Sequence, residues 1–80
     1  MARKRLENGP RYVEEEDYKA HTIRVATGYD PRSDQFPLHV YVQQACNAAR
    51  KLDTAGLAFD TERQAFTAGF KMGHEAIDAE

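Results

Sequence analysis

Two stretches of the chain alternate between apolar or β-branched side chains and the rest. Ile23, Val25, Thr27 and Tyr29 alternate with Thr22, Arg24, Ala26 and Gly28. Phe36, Leu38, Val40 and Val42 alternate with Pro37, His39, Tyr41 and Gln43. Period two with these residue types predicts half-buried strands over about residues 20–29 and 36–43. Between them, Asp30 followed by Pro31 suits the first two positions of a type I turn. Placing Tyr29 opposite Phe36 puts Thr27 by Leu38, Val25 by Val40 and Ile23 by Val42. All four pairs then share one face of an antiparallel hairpin, which supports that register. The other face carries Arg24, Ala26, His39 and Tyr41. Pro37 has no N–H to donate, so one side of the second strand is expected to stay unpaired near its start.

A third pattern has helical spacing. Phe66, Phe70, Gly73 and Ile77 recur every three or four residues, flanked by Ala65, Gly69 and Ala76. This predicts an amphipathic helix over about residues 61–78. Thr61-Glu62-Arg63-Gln64 fits a capping box, with Gln64 reaching back to the N–H of the cap residue. Gly69 and Gly73 each cost about 1 kcal/mol relative to alanine inside a helix. Being four apart, they share one face and imply close backbone approach, either to the sheet or to another helix. Around Leu57 and Phe59 the alternation suggests a short third strand over about residues 55–59, and residues 44–52 read as a loop or irregular edge. Residues 12–19, with Glu14 to Asp17 in a row, fit a short helix or a solvated linker equally well. Residues 1–11 read as a flexible basic tail, leaving residues 12–80 as a single domain.

The expected architecture is α+β: a hairpin or three-stranded meander packed by one C-terminal helix. The run His21-Thr22-Ile23-Arg24-Val25, the Phe59-Asp60-Thr61 junction and the Gly69-x-x-x-Gly73-x-x-x-Ile77-Asp78 segment resemble a group of small uncharacterised proteobacterial proteins. The resemblance spans roughly residues 20–79. It implies a β-meander followed by one helix. The group has no established activity, so no functional residue carries over. Double-stranded-RNA-binding domains share the outline, but their last helix opens on a lysine cluster that grips phosphates. Here the helix opens on Thr61-Glu62-Arg63-Gln64. Antitoxins of the HicB kind are similar in topology alone.

Composition narrows the function classes. With 80 residues there is room for one core. A net charge of −2 argues against strong general affinity for nucleic acid or an anionic membrane. No apolar run is long enough to span a bilayer, so no membrane association is expected. Arg3-Lys4-Arg5 is followed by Glu7-Asn8-Gly9-Pro10 rather than an apolar segment, which argues against a secretory signal. The single cysteine, Cys46, cannot close an intramolecular disulfide and fits a reducing compartment. The cytoplasm is the expected location.

No chemistry-bearing motif emerges. His21 and His39 have opposite strand parity, so they cannot share an ion in this register. His74 stands four residues before Asp78, which suits an ion pair on the helix surface better than a metal site needing three or four ligands. Ser33 lacks a glycine-flanked elbow, and nothing places an activating base beside Ser33 or Cys46. No glycine-rich phosphate loop occurs. Catalytic residues, metals and cofactors are therefore all expected to be absent.

The one surface with recognisable chemistry is the outer sheet face, where Arg24, His39 and Tyr41 cluster. It is either a wet face with a stacked Arg–Tyr pair or a platform for single-stranded nucleic acid. The expected function is a non-enzymatic protein-interaction module. It would bind an unidentified protein or a second copy of itself, with an exposed sheet edge and the Gly69/Gly73 helix face as candidate contacts. A small nucleic-acid-binding accessory protein is the alternative.

Overall fold

The computed structural model of the chain describes residues 3–9, 11–44 and 47–79. The expectation for Cys46 falls on a residue outside these. The elements are β1 (Lys4–Asn8), β2 (Arg11–Tyr18), β3 (His21–Gly28), β4 (Phe36–Gln44), β5 (Arg50–Lys51), β6 (Ala58–Phe59) and α1 (Glu62–Asp78). Every pairing is antiparallel, in the order β1-β2-β3-β4-β5, while β6 pairs the beginning of β4. The fold is α+β, one sheet with one helix on one face, and the strands outnumber the two or three expected.

The central hairpin has the register read from the alternation: Thr27 pairs Leu38, Val25 pairs Val40 and Ile23 pairs Val42. The Tyr29 and Phe36 rings meet edge-on at 5.7 Å. Asp30 organises the turn, accepting a hydrogen bond from Arg32 N–H at 3.0 Å. The loop closes through Asp34 N–H to Asp30 O at 2.8 Å, one residue wider than the turn expected. Asp34 at φ 57° supplies the extra left-handed step. The start of β4 is not left unpaired at its outer edge. Pro37 lies opposite Ala58 of β6, and Leu38 N–H reaches Leu57 O at 3.3 Å.

The N-terminal quarter differs from the sequence reading. Residues 1–11, expected as a flexible tail, contribute β1 and the first residue of β2; residues 12–19, expected as helix or linker, form all the rest of β2 and the first residue of the turn after it. The β2–β3 turn is Lys19-Ala20, with φ values of 47° and 64°. Two successive left-handed residues match the twist of a tight hairpin. An alanine there gives no sequence signal, since glycine or asparagine is the usual choice. In β2, Tyr12, Glu14, Glu16 and Tyr18 fall on the helix side by register, opposite Thr27, Val25, Ile23 and His21. Four carboxylates in a row hide the alternation. They are tolerated because cations come to meet three of them, as described below.

α1 begins where the cap predicts. Thr61 Oγ1 accepts from Gln64 N–H at 3.1 Å, and Gln64 Oε1 accepts from Asp60 N–H at 3.2 Å. The return bond thus goes to the residue before the cap rather than to the cap itself. The core lies between α1 and the inner sheet face: Ile23, Val25, Leu38, Val40 and Val42 meet Ala65, Phe66, Phe70 and Ile77. Gly69 and Gly73 sit directly on the sheet. A Cβ on Gly69 would lie 2.6 Å from Val25 Cγ1, and one on Gly73 2.7 Å from Ile23 Cγ2. Of the two close approaches open to the sequence, the structure uses the one to the sheet. Among the described residues no helix is long and apolar enough to cross a membrane.

Candidate functional site

Two polar groupings stand out, one on each side of the sheet. The first lies where β1 and β2 meet the helix. Glu16 is 8% exposed and faces α1. Its Oε2 accepts from Arg3 Nε at 3.1 Å, and its Oε1 lies 2.6 Å from His74 Nε2. A carboxylate only accepts, so that imidazole nitrogen carries the proton. The His74 ring rests 4.3 Å from the Tyr18 ring. Tyr18 Oη donates to Asp78 at 3.0 Å, and Lys19 Nζ lies 2.6 Å from the same carboxylate. His74 and Asp78, read from the sequence as one pair, therefore belong to separate pairs. Both reach across to β2 and its turn, because the helix end leans on that edge.

Arg3 and Arg5 do more than neutralise. The Arg3 guanidinium lies 4.2 Å from the Phe70 ring centroid, and that of Arg5 lies 5.3 Å from Phe66. Arg5 also bonds Glu14 at 2.6 Å and Glu62 at 2.7 Å, joining β1, β2 and the first turn of α1. The stems and planar heads of the two arginines thus roof the open side of the core. This grouping uses its charges on itself, and its evident role is to clamp the helix to the sheet.

Its titration is testable. Burial alone pushes the Glu16 carboxyl up, but hydrogen bonds from His74 and Arg3, with their charges, hold it below its ordinary value of 4.5. A carboxyl lowered in the folded state adds stability above its unfolded value and loses it as pH falls through its folded value. In urea unfolding at stepped pH, the parent is expected to lose stability below about 4.5, towards the lower folded value. Glu16→Gln should be less stable at neutral pH and should approach the parent as pH falls. Curves that stay parallel into acid would refute the charge pairing.

The second grouping is the outer face, which no helix covers. Arg24 lies directly opposite Tyr41, and Ala26 opposite His39. The structure thus brings Arg24, His39 and Tyr41 together on one face. Arg24 is held by Glu15, Nη2 to Oε2 at 2.8 Å. Two cations missed by the sequence reading complete the face: Arg11 at the start of β2 and Lys51 of β5, opposite Tyr41. Neither has an ion-pair partner among the described residues. The alternation does not reveal them, because Arg11 reads as part of a tail and residues 44–52 as a loop or irregular edge. Burial, and then the charges of Lys51 and Arg11, hold His39 below its ordinary value.

Between these side chains lies a shallow open hollow of about 530 Å³. Ala26, Gly28, Tyr29, Pro37 and Tyr41 are among the residues that line it. A second, smaller concavity of about 170 Å³ adjoins it, lined by Arg11, Arg24 and Tyr41.

The remaining candidates fall elsewhere. Gly69 and Gly73 are buried against the sheet, so they offer no surface to a second copy. β1 is an exposed edge, but it carries a bulge between Arg5 and Glu7 and an exposed lysine, Lys4. Both features discourage edge-to-edge pairing. His21 and His39 lie on opposite faces, and among the described residues no group of three or more His, Cys, Asp or Glu side chains is placed to hold a metal ion. No protein-family model, curated protein or solved structure matches the chain.

Proposed function

We propose that this chain is a non-enzymatic protein-interaction module that works through the uncovered face of its sheet. The observation that carries the reading is the contrast between the two faces. The helix side is filled by the apolar core and by a polar cluster whose charges are mutually satisfied. The outer side presents Arg11, Lys51, His39 and Tyr41 around an open hollow, with two cations that no carboxylate of the described residues neutralises. Unpaired charge beside aromatic surface is the mixture found at interface centres and rims.

Capture from a cell lysate, with and without nuclease, tests this when paired with Tyr41→Ala. A protein that survives nuclease and is lost from the variant supports the reading. Equal capture by parent and variant would overturn it. The second reading, a nucleic-acid-binding accessory protein, rests on the Arg24–Tyr41 pair. It requires binding that disappears with nuclease, falls steeply with salt and weakens in Arg24→Ala.

A further inference from the structure

We infer that β1 is exchanged between two copies of this chain, the β1 of each lying along the β2 of the other, with Gly9 setting the balance against the closed monomer. This goes beyond the outer-face reading and does not depend on it. β1 ends the sheet and pairs β2. Arg3 just before it and Lys4, Arg5 and Leu6 within it are all exposed, and none belongs to the core. Besides the backbone ladder, the strand is held by charge: Arg3 to Glu16 at 3.1 Å, and Arg5 to Glu14 at 2.6 Å and to Glu62 at 2.7 Å. A strand secured by partly exposed ion pairs and one ladder opens at lower cost than the core does.

The open form is incomplete. It deprives Glu16, 8% exposed, of its arginine, and it bares the Phe70 and Phe66 rings that Arg3 and Arg5 cover. It also frees the edge of β2, which is a template for another strand. The segment that fits this groove is visible in the structure: an extended run with arginines two apart, residues 3–8 of this chain. A second copy supplies the same run, with the same ladder and the same ion pairs.

Because the contacts are equal in the two forms, the hinge decides between them. Gly9 has a φ of 91°, and its N–H donates to Arg11 O at 2.7 Å, closing the turn between β1 and β2. That φ suits glycine and strains any L residue. Pro10 follows in the sequence, and a residue before proline is biased towards extended backbone. With Gly9 extended, β1 and β2 run on as one strand. Two such strands, antiparallel about a two-fold axis, set each β1 on the other copy's β2. In the parent, glycine tolerates the closed turn. Exchange then competes with a segment on a short tether, whose effective concentration is about millimolar.

Gly9→Val is the first test. A Cβ at Gly9 would meet the Tyr12 ring at 3.6 Å, an ordinary contact, so the substitution acts through the backbone. The strain is worth about tenfold per chain, and a dimer relieves two chains, so its dissociation constant should fall about a hundredfold. Parent and variant are refolded from urea and followed by size-exclusion chromatography with light scattering up to about 1 mM. The second test places Arg5→Glu in one full-length chain and Glu14→Arg in another. Each alone sets like charges together, in its monomer and in its own dimer. Refolded as an equimolar mixture, exchange restores opposite charges at both contacts, and native mass spectrometry should show the mixed dimer well above either homodimer. A dimer formed through any other surface, the outer face included, would show no such preference. The inference is overturned if folded Gly9→Val is no more dimeric than the parent, or if the mixture gives no preferred mixed dimer. Should Gly9→Val fail to fold, the mixture decides, and a mixture that stays monomeric or unfolded counts against exchange.

Discussion

Phe70→Ala is expected to remove a large share of the fold's stability, about 3–5 kcal/mol. Phe70 is fully buried, at 0% exposure, and fills the space between α1 and the inner sheet face. Truncating a buried phenylalanine costs about 3–5 kcal/mol, from lost transfer energy and from the cavity left behind. An 80-residue domain has only about 4–12 kcal/mol in total, at roughly 0.05–0.15 kcal/mol per residue. Here the loss extends beyond the ring itself. Arg3 rests on that ring while bonding Glu16, and Phe66 lies 6.5 Å away. Removing the ring withdraws one support of the clamp as well as the core contact. Urea unfolding followed by circular dichroism measures the effect. Phe70→Leu, which keeps most of the volume, should lose distinctly less. A loss below about 1 kcal/mol for the alanine variant would contradict a core centred on this residue.

Gly69→Ala is expected to destabilise the fold although helix propensity favours it. Propensity alone predicts a gain of about 1 kcal/mol. Against this, the new methyl carbon would lie 2.6 Å from Val25 Cγ1 and 3.0 Å from Leu38 Cδ1. Leu38 presents a chain end that can swing aside. Val25 cannot, because its methyl branches directly from Cβ and the residue is fully buried. The helix must therefore lift from the sheet, and overpacking of this kind costs about 1–3 kcal/mol. Gly73→Ala meets the same obstacle at Ile23 Cγ2, so the double variant should lose more than either single one. Thr67→Ala, on the exposed side of the same helix, isolates propensity and should be neutral or slightly stabilising. Melting temperatures of these four proteins decide the matter. A higher melting temperature for both glycine variants would mean that the helix does not ride on Val25 and Ile23.

The same physics explains which parts of the fold were legible. The β3–β4 register follows from alternation alone, because a one-residue slip would turn Ile23, Val25, Val40 and Val42 towards water. The helix start follows from Thr61 and Gln64, whose hydrogen bonds are local. The outer face was partly legible for the same reason: Arg24, His39 and Tyr41 are placed by the hairpin register. Arg11 and Lys51 were not, since each reaches that face only through a strand the pattern did not reveal.

β2 shows why. A strand is recognised by an apolar inner face, yet the inner positions of β2 include Glu14 and Glu16. Their partners are Arg5 of β1, Arg3 just before that strand and, for Glu16, also His74 on the helix, 58 residues further along the chain. Nothing local announces such pairing. Lys19-Ala20 likewise carries no turn signal, and its left-handed conformation is held by the strands it joins.

The sequence by itself determined the elements whose stabilising partners lie in the same pattern: the central hairpin with its register, and the capped helix with its apolar stripe. Tertiary structure alone decided β1 and β2, the pairing of β4 with both β5 and β6, and which neighbour the helix glycines approach. It also decided that Arg11 and Lys51 share a face with Tyr41. The dividing line is the range of the interaction. Periodicity and capping act within a few residues and are written in order along the chain. Buried ion pairs, roofing arginines and convergent surface charges join residues whose separation in sequence carries no information about their distance in space.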